Sequence, residues 1–191
     1  MALLLGLTGP PGAGKDATAA HLVGSHNFRR FAFADPIRQA ALVLDPLVKG
    51  RTRLSAVVAD HGWDIAKTQW PEVRRILQVL GTELGRDIHG ADVWVDKTFA
   101  AIRELLPAQR VVISDCRFPN EAAAVRSHGG FIVRINRHVH QLDGVMSPAS
   151  EVESAGLTPD YVLPNHDTLS DLARRLDRLV PRFQKQRSAH A

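Results

Sequence analysis

Cys116 is the only cysteine in a chain of 191 residues. No internal disulfide can form and no cysteine-based zinc site can be built, which makes a reducing, intracellular setting the expectation. Long hydrophobic runs are missing too. No stretch approaches the length of a membrane-spanning helix, and the opening apolar run Leu3-Leu4-Leu5-Gly6-Leu7 is too short for a signal-peptide core and lacks a basic flank. A soluble, cytoplasmic protein without membrane contact is expected. Basic residues outnumber acidic ones by 24 to 20, but they are mostly scattered arginines. Apart from the short run Arg182 to Arg187, read here as a frayed and solvated end, there is no basic tract with interleaved aromatics to suggest nucleic acid. The nine histidines show no helical metal-pair spacing. His138 and His140 fit either one strand face or a solvated loop. Neither an internal repeat nor a linker is visible, so a single domain with one buried core is predicted.

What is present starts with the run GPPGAGKDAT, Gly9 to Thr18. It lies between the apolar stretch and a helix-compatible segment, the context a phosphate-binding loop requires. Glycines let the backbone wrap with its N–H groups inward, the helix starting near Lys15 adds the positive end of its dipole, and the Lys15 ammonium reaches the outer phosphates. Gly9, Gly14 and Lys15 fit the spacing G-x-x-x-x-G-K, while Asp16 stands where a Ser or Thr hydroxyl would reach magnesium. A glycine-rich turn that binds nothing is the plain alternative. The joint occurrence of strand, spacing, lysine and helix argues against it.

Strands and helices alternate along the chain, which predicts an α/β fold with a parallel sheet covered on both faces. Residues 2–8 read as a buried strand, Arg30 to Phe33 as a short one, and Arg110 to Asp115 as a buried one ending in a carboxylate; Phe131 to Ile135 and Tyr161 to Leu163 follow. Asp35 is placed to cap a helix with Pro36 in its first position and Arg38 in its first turn. Between Asp45 and Trp70 the pattern is weak and predicts one short helix over Leu54 to Asp60. After Pro71, a second helix carries Val73, Ile76, Leu77, Leu80 and Leu84 at helical spacing. Arg75, Gln78 and Thr82 share one side of it, and Gly81 lets a ligand approach the backbone, unless that face is simply solvated. Trp94 falls in the first turn of a helix from about Asp92 to Leu106. Asp115, Arg117 and Glu121 cluster at the carboxyl end of a strand, where ligands sit in open α/β sheets. Thr168 and Asp171 have capping-box spacing ahead of a stripe of Leu169, Leu172, Leu176 and Leu179.

Gly14-Lys15-Asp16, Phe33-Ala34-Asp35-Pro36, the stretch Leu77 to Arg86, Trp94, the stretch Ser114 to Glu121, Asp160-Tyr161-Val162, Asn165 and Thr168-Leu169 form a specific set. In this set the chain resembles the bacteriophage deoxynucleoside monophosphate kinases, a branch of the P-loop nucleoside monophosphate kinase fold. The resemblance covers most of the sequence. It implies one P-loop kinase domain over residues 1–191, with a parallel sheet flanked by helices, a helical acceptor-binding insertion at about 36–106 and a short lid at about 137–150. Asp16 after the lysine looks like the usual choice in that family. Two positions depart from its pattern: Ala17, where relatives often carry Thr, and Pro148 ahead of Ser150-Glu151, where relatives have His.

The activity this implies is transfer of the terminal phosphoryl group of ATP, with Mg2+, to deoxynucleoside 5′-monophosphates, in the service of phage DNA synthesis in the host cytoplasm. On the donor side the resemblance places Gly12, Ala13, Gly14, Lys15, Asp16, Ala17 and Thr18 at the ATP phosphates, Arg137 at the lid edge, Asn165 at the adenine edge, and Mg2+ on Asp16 and Asp115, directly or through water. Lys15, Asp16, Asp115 and Arg117 carry the catalysis. On the acceptor side it points to Arg75, Gln78, Gly81, Thr82, Trp94, Arg117 and Glu121, joined by Arg38 and Arg86; Glu121 alternatively only fixes Arg117. The expected partners are mononucleotides and not nucleic acid, and a homodimer is left open. Dephospho-coenzyme A kinase and phosphomevalonate kinase share the fold and a similar loop, but the stretch from Gln78 to Arg86 argues against them. A nucleic-acid-stimulated ATPase is favoured only by the high pI, and a non-catalytic nucleotide-binding module is the third alternative.

Overall fold

The leucine-rich run forms β1 (Leu3–Thr8), buried at every residue, as a continuous apolar strand is when both faces of its sheet are covered. The computed structural model describes residues 3–48, 50–105, 107–137 and 156–188. β1 pairs in parallel with β5 (Arg110–Ile113) on one side and β6 (Phe131–Asn136) on the other. Beyond them lie β2 (Phe28–Phe31) and β7 (Tyr161–Pro164), so the five strands run β2-β5-β1-β6-β7, all parallel. Leu3, Leu5 and Leu7 point to the face covered by α1 (Lys15–His26) and α8 (Leu169–Ser188), where Leu22, Leu172, Leu176 and Phe183 complete the core. The alternate positions meet α7 (Pro119–Ser127): a Cβ placed on Gly6 would lie 2.8 Å from Ile132 Cδ1 and 3.3 Å from Val125. The chain leaves β1 toward β2 on one side, whereas it leaves β6 toward β7 on the other. Connections that diverge in this way open a crevice at the carboxyl ends of the strands.

Two strands differ from expectation for one reason. β2 ends at Phe31 instead of Phe33 because its partner β5 ends at Ile113, the residue paired with Phe31. The Ser114 N–H closes the ladder on the Phe31 carbonyl at 2.9 Å, and Asp115 falls in the turn beyond it.

The capping box of α8 forms as expected. The Asp171 N–H donates to Thr168 Oγ1 at 3.2 Å, and the Thr168 N–H donates to Asp171 Oδ2 at 3.2 Å. Leu169, however, is 70% exposed and does not join the stripe, which runs through Leu172, Leu176, Leu179 and Phe183. The basic run from Arg182 to Arg187 is not a frayed tail. It belongs to the helix, anchored where Phe183 stacks on Phe131 with ring centroids 4.7 Å apart. Hydrogen bonds from Thr168, then Arg174, hold the Asp171 carboxyl down at about 2. A depressed carboxylate stabilises the fold above its unfolded value, about 4, and that contribution fades as pH falls through the folded value. Asp171→Asn should therefore lower the melting temperature at pH 6, and the gap from wild type should close between about pH 4 and pH 2. Melting curves that stay parallel down to the acid limit would leave the Asp171 charge without a role.

The chain divides into two compact units, Met1–Ala32 with Ala100–Ala191, and Phe33–Phe99. The second unit contains α2 (Asp35–Leu44), the hairpin of β3 (Leu47–Val48) and β4 (Thr52–Arg53), α3 (Leu54–Gln69), α4 (Pro71–Gln78), a π-helical stretch Val79–Arg86, α5 (Asp87–His89) and the start of α6 (Val93–Arg103). Ala41, Val48, Leu54, Val57, Ala66, Val73 and Leu80 form its core. Asp35 does not cap α2. It lies inside the first turn, and its carboxylate accepts from Arg38 Nη1 at 3.1 Å instead. α3 is longer than the expected helix, because the chain breaks at Gly62 (φ 74, ψ 164) and resumes helical geometry. Its start is held by Asp45, whose carboxylate accepts from the Ser55 N–H at 2.8 Å and the Ser55 hydroxyl at 3.0 Å. Leu84 is 46% exposed. A π turn spans more residues than the about 3.6 of an α turn, so the apolar stripe drifts out of phase after Leu80. Among the described residues, no helix is long and apolar enough to cross a membrane.

Candidate functional site

The phosphate loop occupies the step from β1 to α1. Gly9 (φ 137) and Gly14 (φ 101) hold backbone conformations that side chains rarely adopt, and neither has room for one. A Cβ on Gly9 would lie 2.5 Å from the Ile135 carbonyl oxygen, and one on Gly14 would lie 2.4 Å from Asn165 Nδ2. The loop is thus pressed against the end of β6 and against Asn165. Lys15 folds back over it, Nζ donating to the carbonyls of Gly9 at 2.8 Å and Pro10 at 2.9 Å. Gly12 and Asp16 are exposed, Ala13 is buried, and Ala17 is half-buried. Thr18 supplies the only hydroxyl between Gly12 and Thr18, and it is buried and donates to the Gly14 carbonyl at 2.9 Å. The hydroxyl expected beside the phosphates is therefore spent inside the first helical turn.

Asn165 has a role that sequence reasoning missed. It is 3% exposed, its N–H donates to the Asn136 carbonyl at 2.7 Å, and its Nδ2 donates to the Ala13 carbonyl at 2.8 Å. A side chain buried in this way braces the loop and does not reach an adenine edge. Asn165→Ala strands a buried carbonyl, a loss of about 1–3 kcal/mol. The melting temperature should fall, and the Michaelis constant should rise equally for ATP and for GTP. A penalty confined to ATP would restore the adenine contact.

The second part of the site is the turn after β5. The Cys116 N–H donates to the Leu7 carbonyl at 2.9 Å, which pins the turn to the end of β1, beside the loop. Glu121 is 4% exposed, and its Oε2 accepts from the N–H groups of Arg117 at 2.7 Å and Phe118 at 3.1 Å. This cap at the start of α7 fixes the backbone of Arg117, which is the placement the bracing alternative for Glu121 requires. Asp115 is half-buried and Arg117 is exposed. Burial, followed by the Glu121 and Asp115 carboxylates, pushes the Cys116 thiol far up, and it stays protonated and inert. Arg137, exposed, directly follows β6; the remainder of the expected lid, 138–150, lies outside the described residues.

In the second unit, Arg75 and Gln78 are exposed on α4, and Thr82 is exposed on the π-helical stretch. Arg75 borders an apolar groove of about 310 Å³ lined by Leu44, Pro46, Ile76 and Val79. Gly81 is buried, with Ile37 Cδ1 only 3.2 Å from where a Cβ would stand. Its lack of a side chain admits α2 and does not open the backbone to a ligand. Trp94 donates from its indole Nε1 to the Gly81 carbonyl at 2.8 Å. Its ring also lies against Gly85, where a Cβ would come within 2.5 Å of Cζ2. Arg86 is half-buried, and Arg38 is held by Asp35. π-helical turns are rare and are often found at functional sites. This one coincides with the stretch that carries the family resemblance.

The sequence profile of the deoxynucleotide monophosphate kinase family matches residues 49–176. The match begins after the phosphate loop, so the loop's geometry is a separate observation. A protein of Acanthamoeba polyphaga mimivirus, provisionally named a deoxynucleotide monophosphate kinase, is 31% identical over 188 residues, covering 88% of this chain and 91% of its own. Among solved structures, dephospho-CoA kinase from Campylobacter jejuni aligns with 96% of this chain and 98% of its own at 14% identity and a TM-score of 0.49. TT1252 from Thermus thermophilus aligns with 94% and 97% at 16% identity and a TM-score of 0.44.

Proposed function

The chain belongs to the deoxynucleotide monophosphate kinase family and is a phosphotransferase, and from that premise we propose that it moves the γ-phosphoryl group of ATP to a deoxynucleoside 5′-monophosphate. The observation that carries this reading is the bond from the Cys116 N–H to the Leu7 carbonyl. It sets the backbone of Asp115 and Arg117, which carry a carboxylate and a guanidinium, at the carboxyl end of the strands beside the phosphate loop. The loop fits a polyphosphate: its glycines leave no side chain in the cradle, and the opening turn of α1 offers N–H groups that have no acceptor within the helix.

In this reading Lys15 and the loop amides hold the β- and γ-phosphates, apart from those of Ala13 and Thr18, which donate to the Pro10 and Gly14 carbonyls. Mg2+, when bound, neutralises charge between those phosphates. Asp16 and Asp115 supply the hard oxygen donors it needs, directly or through water. The acceptor phosphate is already an anionic nucleophile, so the protein's work is positioning and charge neutralisation rather than proton abstraction. Arg117 steadies the negative charge passing from donor to acceptor, and Arg137 assists at the lid edge. For the acceptor, Arg38, Arg75 and Arg86 suit its phosphate, Gln78 and Thr82 suit a base edge, and Trp94 suits a base face. Because the Trp94 N–H is already committed to Gly81, only stacking remains open to the indole. Such an activity serves deoxynucleotide supply for DNA synthesis.

The test is ADP release from ATP and Mg2+ against a panel of ribo- and deoxynucleoside monophosphates, dephospho-coenzyme A and DNA. Turnover dependent on a deoxynucleoside monophosphate is expected. Turnover with dephospho-coenzyme A alone, or hydrolysis stimulated by DNA and indifferent to mononucleotides, would overturn the assignment.

A further inference from the structure

Between the two helices that cover the Leu3, Leu5 and Leu7 face of the sheet, His21 and His26 of α1 converge on Asp177 of α8. Each Nε2 lies 2.8 Å from the same carboxylate oxygen, Asp177 Oδ1. The imidazoles stand edge to face with centroids 5.6 Å apart, and the three ligand-capable atoms lie within 4.8 Å of one another. The side chains are 22%, 16% and 50% exposed for His21, His26 and Asp177, so solvent and small ions reach them. No linear spacing shows this group. Helical positions five apart point about 140° away from each other, but His26 ends its helix, directly before Asn27 in the left-handed conformation (φ 55).

We infer that His21, His26 and Asp177 form a binding site for a divalent transition-metal ion of the zinc class. Two imidazole nitrogens and one carboxylate oxygen are the donor set that zinc accepts in three-ligand sites, with a fourth position left to water; Mg2+ prefers oxygen alone. The arrangement needs an adjustment of the two imidazoles, whose nitrogens lie within 4.8 Å of each other and must settle at tetrahedral separation. A tetrahedral ion with bonds of about 2.0–2.1 Å holds its ligand atoms roughly 3.3–3.4 Å apart. Each imidazole therefore retreats from its 2.8 Å hydrogen bond by about half an ångström. Both histidines bind as neutral rings, protons on Nδ1 and the Nε2 lone pairs facing the ion. The ion would clasp α8 to the helix that begins at the phosphate loop. It is separate from the Mg2+ assigned to Asp16 and Asp115, and its test does not depend on the phosphotransfer reading.

The experiment uses the full chain, purified without a histidine tag and freed of metal by a chelator, titrated with Co2+ and then with Zn2+. One equivalent of Co2+ should bind with the visible absorption of a tetrahedral nitrogen–oxygen set, be displaced by Zn2+, and resist excess Mg2+. Zn2+ should also raise the melting temperature. In the His21→Gln/His26→Gln double variant, and in Asp177→Asn, affinity should fall by more than roughly tenfold, since even outer partners of metal ligands have effects of that size. Circular dichroism on each variant checks the fold. The wild type decides by itself if it binds no equivalent at micromolar Co2+, because the two histidines are then merely hydrogen-bonded to Asp177. Undiminished binding in a folded double variant would place the ion elsewhere and also overturn the site.

Discussion

Replacing Lys15 with alanine is expected to remove phosphoryl transfer by a factor on the order of 10²–10³ or more while leaving the fold in place. The size follows from what is lost. A preorganised cation next to charge that grows during transfer is comparable to an oxyanion donor, the removal of which costs about 3–4 kcal/mol in the barrier. The structural cost is small by comparison. Lys15 Nζ bonds to the carbonyls of Gly9 and Pro10 on a partly exposed loop, where water replaces a lost donor and the net loss is about 0.5–1.5 kcal/mol per bond. The close packing of Gly9 on Ile135 and of Gly14 on Asn165, together with the bond from Asn165 to the Ala13 carbonyl, holds the loop without the ammonium. Single-turnover rates at saturating ATP and acceptor, set beside the melting temperature, measure both halves. A folded Lys15→Ala protein with near-normal turnover would rule out the loop chemistry.

The residues that were legible in the sequence are those whose role is local. β1 and β5 are continuous apolar runs, the glycines and the lysine of the loop follow one another directly, and Thr168 and Asp171 are three positions apart. The misread ones depend on distant partners or on an unusual winding. β3 and β4 are two residues each and show no period, and the carboxylate that holds the start of α3, on Asp45, lies ten positions before Ser55. Leu84 continues the helical spacing of Val73, Ile76, Leu77 and Leu80 in the sequence, but the π stretch breaks that count. Asn165 was visible as a polar residue after a strand, but its partner Ala13 is 152 positions away, and only folding turns it from an adenine contact into a brace. Trp94 and Gly85 illustrate the same limit. Neither position reveals the other in the sequence, and together they explain why a glycine must stand where the indole lies.

Arg117→Leu should lower turnover by about 10²–10³, equivalent to roughly 3–4 kcal/mol by analogy with loss of an oxyanion donor, while changing either Michaelis constant far less. The geometry makes this substitution unusually clean. The backbone at Arg117 is fixed from both directions, by the Cys116 N–H on the Leu7 carbonyl and by the Arg117 N–H on Glu121 Oε2. Neither bond uses the guanidinium. Leucine at this exposed position therefore removes the charge without moving the turn, and the melting temperature should stay close to wild type. Glu121→Ala is the complementary change. It leaves the guanidinium but removes a buried acceptor from two N–H groups, so it should lower the melting temperature and weaken turnover indirectly. The two variants separate charge from placement. If Arg117→Leu instead raised only the acceptor's Michaelis constant, the guanidinium would be a ground-state anchor for the acceptor phosphate, and the neutralisation of charge in transit would pass to Lys15 and the bound Mg2+.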